Sequence, residues 1–424
     1  MFRSLPSVRK VITLPPISLS GGVALLVLSQ LLLGTLLLRL LWLDQPSGDL
    51  IFDEVYYVNA ARVILGWPVP EGAPYADAAQ GIDPNAEHLP LAKVMLAGSM
   101  QLFGDNAYGW RLPSVLLGTA AVGLLYLIVR RVTGRDGLAL FAAFLFSLDN
   151  LVFIHSRIAT LDIYMLAFML GGVYLHVAGR PLLAGAVLAL SALAKLTGIY
   201  ALGALFAFEA LRFLLRPEVR EAWRGALGKG LMLGGGFLAI FIGLLWPLDH
   251  FWTRYQDPVD HLAYVLEYGA ALKEKDYASG SASFPWQWLA NEVPITYLRV
   301  SQEVKVDGQV VSSRRTVDFQ GAMNPFVVAM LPLALAFLLE RAARTRHDLP
   351  LLLLALLAAT FLPSLAVAVF ADRVSYIFYF LPVLPALCAG IAYLLLDNNF
   401  SRVLALGYAI GVVFGFLTLF PFKF

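Results

Sequence analysis

Long apolar stretches that alternate with short clusters of arginine and lysine are the feature that most constrains this chain. Most of the stretches approach or reach the roughly 20 residues that a helix needs to cross a bilayer. Of the 424 residues, 59% are hydrophobic and only 14% are charged, whereas a soluble protein of this length needs far more charge to cover its surface. The sequence therefore predicts an all-α polytopic membrane protein.

Hydropathy predicts about eleven transmembrane helices in one membrane domain that covers residues 1–424. The predicted spans are 17–43, 112–129, 138–154, 158–177, 182–193, 199–215, 230–248, 324–339, 349–370, 376–396 and 403–420. The first is too long for a signal-peptide core and is interpreted as a retained anchor. The basic clusters between spans, and Arg3, Arg9 and Lys10 before the first, fall on one side, which the positive-inside rule assigns to the cytoplasm.

Two loops are predicted on the outer face, at residues 44–89 and 249–323. The first carries the adjacent acids Asp53 and Glu54, followed by Tyr56 and Tyr57. Acids beside a membrane can be ordinary solvated charges, and that alternative stays open for an isolated pair. The second loop contains an alternating segment, 304–311, centred on Asp-Gly, which is typical of a β hairpin.

Four basic residues on the outer side depart from the positive-inside rule. They are Arg111, Arg157, Lys195 and Arg373. Each taken alone could extend to lipid headgroups or pair with a loop carboxylate. Together they predict a ring of cations around two carboxylates, which an anionic lipid substrate would require, because arginine and lysine both bind phosphate.

Further polar residues lie close to these cations along the chain. Asp149, Asn150 and Asp162 bracket Arg157, and the alternative for Asp162 is an internal ion pair between helices. His88 stands alone, and a lone histidine is more often structural than catalytic. The sequence contains no cysteine–histidine cluster with metal-ligand spacing and no phosphate-binding glycine loop after a strand, so no metal site is predicted.

In several segments the chain resembles the protein O-mannosyltransferases, which belong to the GT-C class of membrane glycosyltransferases. These segments are Asp53-Glu54, His88-Leu89-Pro90-Leu91-Ala92-Lys93, Arg111-Leu112-Pro113-Ser114, residues 148–162 (LDNLVFIHSRIATLD), Ala194-Lys195-Leu196-Thr197-Gly198, Met323-Asn324-Pro325 and Tyr379-Phe380-Leu381-Pro382. The stretch 148–162 is the most specific. Leu89, Ala92 and Tyr379 depart from the family's usual proline, glycine and histidine, and the loop 249–323 is too short for a β-trefoil insert. These differences fit a bacterial or archaeal member.

The resemblance implies a GT-C fold and transfer of a sugar, expected to be mannose, from a polyprenyl phosphate to a Ser or Thr hydroxyl with inversion. It implies that Asp53 or Glu54 is the general base, with Asp53 contacting the hydroxyl and Glu54 assisting. Neighbouring cations are expected to keep that carboxylate ionised. The donor phosphate is expected to contact Arg111, Arg157, Lys195 and Arg373, and the supporting residues are expected to be His88, Lys93, Asp149, Asn150, Asp162 and Tyr379.

No cofactor is expected besides the lipid-linked donor, and no nucleic acid. The expected partners are the polyprenyl-phosphate sugar, an exported Ser/Thr-containing polypeptide, membrane lipid and, by analogy, the protein export channel. The expected location is the plasma membrane, with the active site on the outer face. One alternative is a GT-C enzyme that moves another sugar, such as a pentose or aminopentose, onto a lipid or glycan. A transporter ranks third, because the polar residues gather on one face.

Overall fold

The computed structural model describes residues 21–273, 280–306, 309–397 and 402–423. Within these ranges the chain forms eighteen α-helices and one antiparallel pair of strands. Arg3, Arg9 and Lys10, and the Asp307-Gly308 turn of the predicted hairpin, lie outside the described residues.

The helices are, in chain order, α1 (Gly21–Leu40), α2 (Glu54–Ile64), α3 (Leu91–Phe103), α4 (Ala107–Thr133), α5 (Asp136–Ser147), α6 (Asn150–His155), α7 (Leu161–Val177), α8 (Pro181–Ala194), α9 (Ile199–Leu215), α10 (Pro217–Glu221), α11 (Trp223–Trp252), α12 (Pro258–Ala271), α13 (Pro285–Trp288), α14 (Pro325–Ala329), α15 (Leu331–Thr345), α16 (Asp348–Ala371), α17 (Leu384–Asp397) and α18 (Arg402–Thr418). Short 3₁₀ turns precede α9 (Leu196–Gly198) and α17 (Ile377–Val383). The strands are β1 (Ile295–Val306) and β2 (Gln309–Gly321).

Six helical segments in the described part of the chain are long and apolar enough to cross a bilayer. They are α1, α4, α9 with its 3₁₀ turn, α11, α16 and α17 with its 3₁₀ turn. Five other apolar helices, α3, α5, α7, α8 and α18, are 10–17 residues long. The polytopic membrane architecture is thus confirmed, while the predicted number of eleven spans is not.

The predicted span 138–154 is two helices rather than one. The Asp149 side chain accepts hydrogen bonds from the backbone nitrogens of Leu151 and Val152, at 3.0 and 3.2 Å. Such a cap starts a new helix because it satisfies amide groups that have no partner within the helix. The predicted span 324–339 is also divided, at Met330 between α14 and α15, but no side chain caps the second helix there; Asn324 caps the start of α14.

Close helix packing places the inner elements. A Cβ on Gly185 of α8 would lie 2.0 Å from the Leu233 carbonyl oxygen of α11, and one on Gly236 would lie 2.2 Å from the Leu182 carbonyl oxygen. Only glycine permits such an approach, so α8 and α11 meet backbone to backbone. α17 packs against α5, α15 and α16, and its residues from Leu384 to Leu395 are buried.

The β hairpin rises from the loop after α13 and extends well beyond the alternating segment 304–311. Thr296 pairs with Gln320 and Leu298 pairs with Phe319, so Tyr297 is an extra residue that forms a β-bulge. Bulges of this kind bend a strand and redirect one side chain. Here the redirected side chain is that of Tyr297.

Candidate active site

Asp53 stands directly before the first residue of α2, and the backbone in front of it is strained. Phe52 has a φ of 56°, a left-handed conformation that is uncommon for a bulky residue. Its ring stacks on the ring of Tyr297 with centroids 4.2 Å apart and an interplanar angle of 19°. The contact with β1 therefore helps to hold the turn that positions the Asp53 carboxyl.

Glu54 is fully buried and accepts four hydrogen bonds. Arg111 donates two of them, from Nε at 2.9 Å and from Nη2 at 2.8 Å. The backbone nitrogens of Ile51 and Ala159 donate the others, at 2.7 and 2.8 Å. Both carboxylate oxygens are thus occupied by the protein, so Glu54 braces the first loop against α4 and the segment before α7.

The two arginines nearest the end of α1 donate to backbone carbonyls. Arg111 donates from Nη1 to the Leu43 oxygen at 2.8 Å, and Arg157 donates to the Leu38 and Leu41 oxygens at 2.8 and 2.6 Å. Carbonyls at a helix C-terminus lack partners within the helix, and cations there are favourable. Arg111 and Arg157 therefore fix the end of α1.

Lys195 lies at the break between α8 and the following 3₁₀ turn. Its Nζ forms an ion pair with the Asp162 carboxylate at 2.7 Å. The same atom lies 5.0 Å from the ring centroid of Phe378 and 5.4 Å from that of Tyr379, which is the range of a cation–π contact. The internal ion pair considered for Asp162 is thus present, with Lys195 as its partner.

Burial raises the pKa of the Asp53 carboxyl to about 7, with the positive charge of Lys195 lowering it and the negative charge of Asp162 raising it. The expectation that nearby cations keep this carboxyl ionised is corrected, because the loss of hydration outweighs their attraction. Burial, together with the charges of Lys195, Lys93 and Arg373, holds the pKa of His88 well below its usual range, so its imidazole is neutral at physiological pH.

Lys93 and Arg373 differ in their partners. Lys93 is fully buried, lies 2.6 Å from the Asp83 carboxylate and donates to the His88 carbonyl at 2.7 Å, so it braces the first loop. Arg373 lies between α16 and the next 3₁₀ turn, where its backbone forms a bridge with Lys273. Its Nε is buried and has no hydrogen-bond partner among the described residues.

Asp149 and Asn150 are held by packing contacts of their own. Besides capping α6, Asp149 accepts a hydrogen bond from the backbone nitrogen of Asn324 at 2.9 Å. Asn150 donates to the Phe416 carbonyl at 3.0 Å. Asp149 and Asn150 therefore join α6 to α14 and α18.

The other predicted site residues lie near one another in a separate cluster, which contains Asp53, His88, Asp162, Lys195 and Tyr379.

Two residues of this cluster were missed by the sequence analysis. The Tyr297 hydroxyl lies 2.9 Å from His155 Nε2, and His155 Nδ1 lies 3.1 Å from the Thr160 hydroxyl. His155 stands within the motif at 148–162 but had no assigned role. Tyr297 comes from β1, and no local pattern marks it. Within the described residues, no group of three metal-binding side chains occurs.

Residues 87–246 match the family model described as dolichyl-phosphate-mannose-protein mannosyltransferase. Among curated proteins, the polyprenol-phosphate-mannose–protein mannosyltransferase of Corynebacterium glutamicum is 30% identical over 125 residues, which is 29% of this chain and 24% of that protein. The enzyme of the same name from Mycobacterium tuberculosis is 32% identical over 123 residues, or 29% of this chain and 22% of that protein. The matched segment thus spans about a quarter of the length of these relatives.

Solved structures share the fold over nearly the whole chain. The S. cerevisiae protein O-mannosyltransferase Pmt1-Pmt2 complex bound to the sugar donor aligns with a TM-score of 0.70 at 12% identity, covering 96% of this chain and 90% of that one. ArnT from Cupriavidus metallidurans bound to undecaprenyl phosphate aligns with a TM-score of 0.55 at 17% identity, covering 92% and 63%. The chain therefore has the fold of the GT-C membrane glycosyltransferases, and its resemblance to the protein O-mannosyltransferases is confirmed by the family model over residues 87–246.

Proposed function

We propose that this chain transfers mannose from polyprenyl-phosphate-mannose to Ser or Thr hydroxyls of exported polypeptides. The observation that carries the proposal is the cluster at Asp53, a half-buried carboxyl beside the Lys195–Asp162 ion pair in a glycosyltransferase fold. The names of the relatives supply the donor and the class of acceptor. A pKa of about 7 suits a group that takes a proton at neutral pH.

Asp53 is the general base of this proposal. Its carboxylate accepts the proton of the acceptor hydroxyl while the hydroxyl oxygen forms a bond to C1 of mannose. The bond between C1 and the phosphate oxygen breaks in the same displacement, the anomeric centre inverts, and polyprenyl phosphate leaves with both electrons. Glu54 positions Asp53 without taking the proton, because its two oxygens already accept four hydrogen bonds.

Lys195 and Arg373 are the phosphate-binding residues of this proposal. Lys195 provides a cation next to the base, and the unpartnered Nε of Arg373 is a donor available to an anion. Fixed cations stabilise the charge that develops on the leaving phosphate. Arg111 and Arg157 act through position instead, because they hold the end of α1. Tyr379, 5.4 Å from Lys195 by its ring centroid, and the neutral imidazole of His88 belong to the same cluster.

The active site belongs on the outer face of the plasma membrane in this proposal, with the lipid tail of the donor between helices. A cavity of about 760 Å³ supports this orientation, since four arginines, Arg135, Arg216, Arg341 and Arg346, line it together with the acids Glu218, Asp348 and Asp397. Such clusters mark the cytoplasmic side of membrane proteins. The coupling to an export channel that the resemblance implies stays a prediction.

The proposed function can be tested with purified protein in nanodiscs. We expect radiolabelled mannose to pass from polyprenyl-phosphate-mannose to a Ser/Thr-rich peptide, with loss of the label after β-elimination. Transfer of another polyprenyl-linked sugar to a lipid or glycan, without labelling of the peptide, would support the alternative GT-C activity and reject the acceptor proposed here. No turnover of any polyprenyl-linked sugar would reject the enzymatic proposal.

The pH profile gives a separate prediction. The value of kcat/KM for the donor is expected to rise with pH through about 7 and then level off, because burial raises the pKa of Asp53 to about 7 in the free protein and only the ionised carboxylate accepts a proton. The measurement is kcat/KM for the donor from about pH 5 to about pH 9, fitted to a single ionisation. A profile that stays flat down to about pH 5 would show a carboxyl with an ordinary pKa and contradict the assignment.

A further inference from the structure

We propose that the open edge of β1 binds the acceptor polypeptide as an added strand and leads its Ser or Thr to Asp53. This inference rests on the proposed function and specifies how its acceptor is held. Pairing with a strand edge uses backbone hydrogen bonds and so accepts many sequences. An enzyme that modifies many exported polypeptides needs that kind of recognition.

The two edges of the hairpin differ. On the β2 side, the chain's own C-terminal segment covers the edge, since the Asp318 nitrogen donates to the Pro421 oxygen at 2.7 Å and the Lys423 nitrogen donates to the Thr316 oxygen at 2.9 Å. On the β1 side, within the part of the chain that the structure describes, no backbone group outside β2 pairs with β1 between Leu298 and Gln302. Natural proteins usually cover or block an edge of this kind.

The register shows which residue of β1 faces the open edge. Asp318 pairs with Arg299 across the hairpin. Because the Asp318 nitrogen points to Pro421, away from β1, the two residues form a non-hydrogen-bonded pair. In such a pair both backbones direct their N–H and C=O groups away from the partner strand. Arg299 therefore presents one donor and one acceptor to an incoming strand.

The open edge leads to the base. Tyr297 is two residues from Arg299, about 7 Å along the strand, and its bulge turns the ring onto Phe52, the neighbour of Asp53. Gly321 makes room for it, since a Cβ there would lie 2.4 Å from the Tyr297 hydroxyl oxygen. A strand paired at Arg299 thus runs toward Asp53, and its alternating side chains point one hydroxyl to the site.

The test compares two substitutions at one position. Arg299→Pro removes the outward N–H, whereas Arg299→Ala keeps it, and both lose the ion pair with Asp318. Proline is tolerated on an edge strand when its missing N–H faces outward. We expect KM for a Ser/Thr peptide to be about tenfold higher in the proline variant than in the alanine variant. Turnover of N-acetylthreonine amide, which is too short to pair as a strand, should be equal in both.

A second measurement avoids substitution altogether. With the wild-type protein, a peptide N-methylated at the backbone amides beside its threonine should also show a KM raised about tenfold, so the proposal stays testable if Arg299→Pro fails to fold. Equal peptide KM values for both variants, or for methylated and plain peptides, would overturn it. A proline variant that differs from wild type only in self-association would also overturn the proposal, because the edge of β1 would then bind a second copy of this chain. Failure of the proposed function is recognised separately, since neither peptide nor N-acetylthreonine amide would then be labelled.

Discussion

Asp53→Asn is expected to lower kcat for mannose transfer by a factor of about 10² to 10⁴, the usual contribution of a general base. The amide has almost the same shape as the carboxyl but cannot accept the proton of the acceptor hydroxyl. KM for the donor should change little, because the Lys195–Asp162 pair remains. The measurement is steady-state transfer of radiolabelled mannose at saturating peptide.

Thermal unfolding in the same detergent provides the control for Asp53→Asn. Burial already disfavours the ionised carboxyl, so a neutral amide should leave the unfolding midpoint equal or higher at pH above about 7. If Asp53→Asn kept a normal kcat, Asp53 would not be the general base. A variant with a much lower midpoint would show that the loss of activity reflects damage to the fold.

Glu54→Gln is expected to lower the free energy of unfolding by about 3–5 kcal/mol, because it leaves Arg111 without its buried counter-charge. The side chains of Glu54 and Arg111 are 0% and 1% exposed, so water cannot replace the lost partner. Transfer should fall as well, since the loop that carries Asp53 is released. The measurement is the midpoint of thermal or denaturant unfolding.

Glu340→Gln is the matched control, since it removes an ion pair with Arg344 that is 77% exposed on the arginine side and a longer contact, 3.8 Å, with Arg341, which keeps Asp397 as a partner. Exposed pairs within one helix contribute about 0.3–0.5 kcal/mol, so its unfolding midpoint should barely move. If Glu54→Gln instead kept its stability and lost as much kcat as Asp53→Asn, Glu54 would be the base and the division of roles proposed here would be wrong.

Hydropathy and motif were enough to predict the membrane architecture and several members of the cluster. The transmembrane spans can be recognised from hydropathy, since a helix that crosses a bilayer must be long and apolar. Asp53, Lys195 and Asp162 stand in short segments whose sequence resembles family motifs. The helix boundaries inside the predicted spans 138–154 and 324–339 could not be predicted from the sequence. The first depends on a single capping side chain, that of Asp149, whose effect on an apolar run is not visible in hydropathy. The second lies at Met330, where no side chain caps α15 and the apolar run continues without interruption.

The partners of the charged residues could not be predicted, because they depend on packing between distant segments. In the sequence, a basic residue near a membrane surface looks the same whether its side chain contacts a phosphate or the carbonyl groups at a helix end. Arg157 proves to bind the carbonyls that end α1, and the carboxylate next to the proposed base proves to be fixed by Arg111. Tyr297 enters the site from a hairpin that no nearby motif connects to it.

The strained turn at Phe52 has a consequence for the biosynthesis of the protein. A phenylalanine does not prefer a φ of 56° in an isolated peptide, so the first loop cannot set the position of Asp53 by itself. The ring that stacks on Phe52 belongs to Tyr297, which the ribosome adds much later. The first loop thus takes the conformation described here only after β1 has been synthesised and has packed against Phe52.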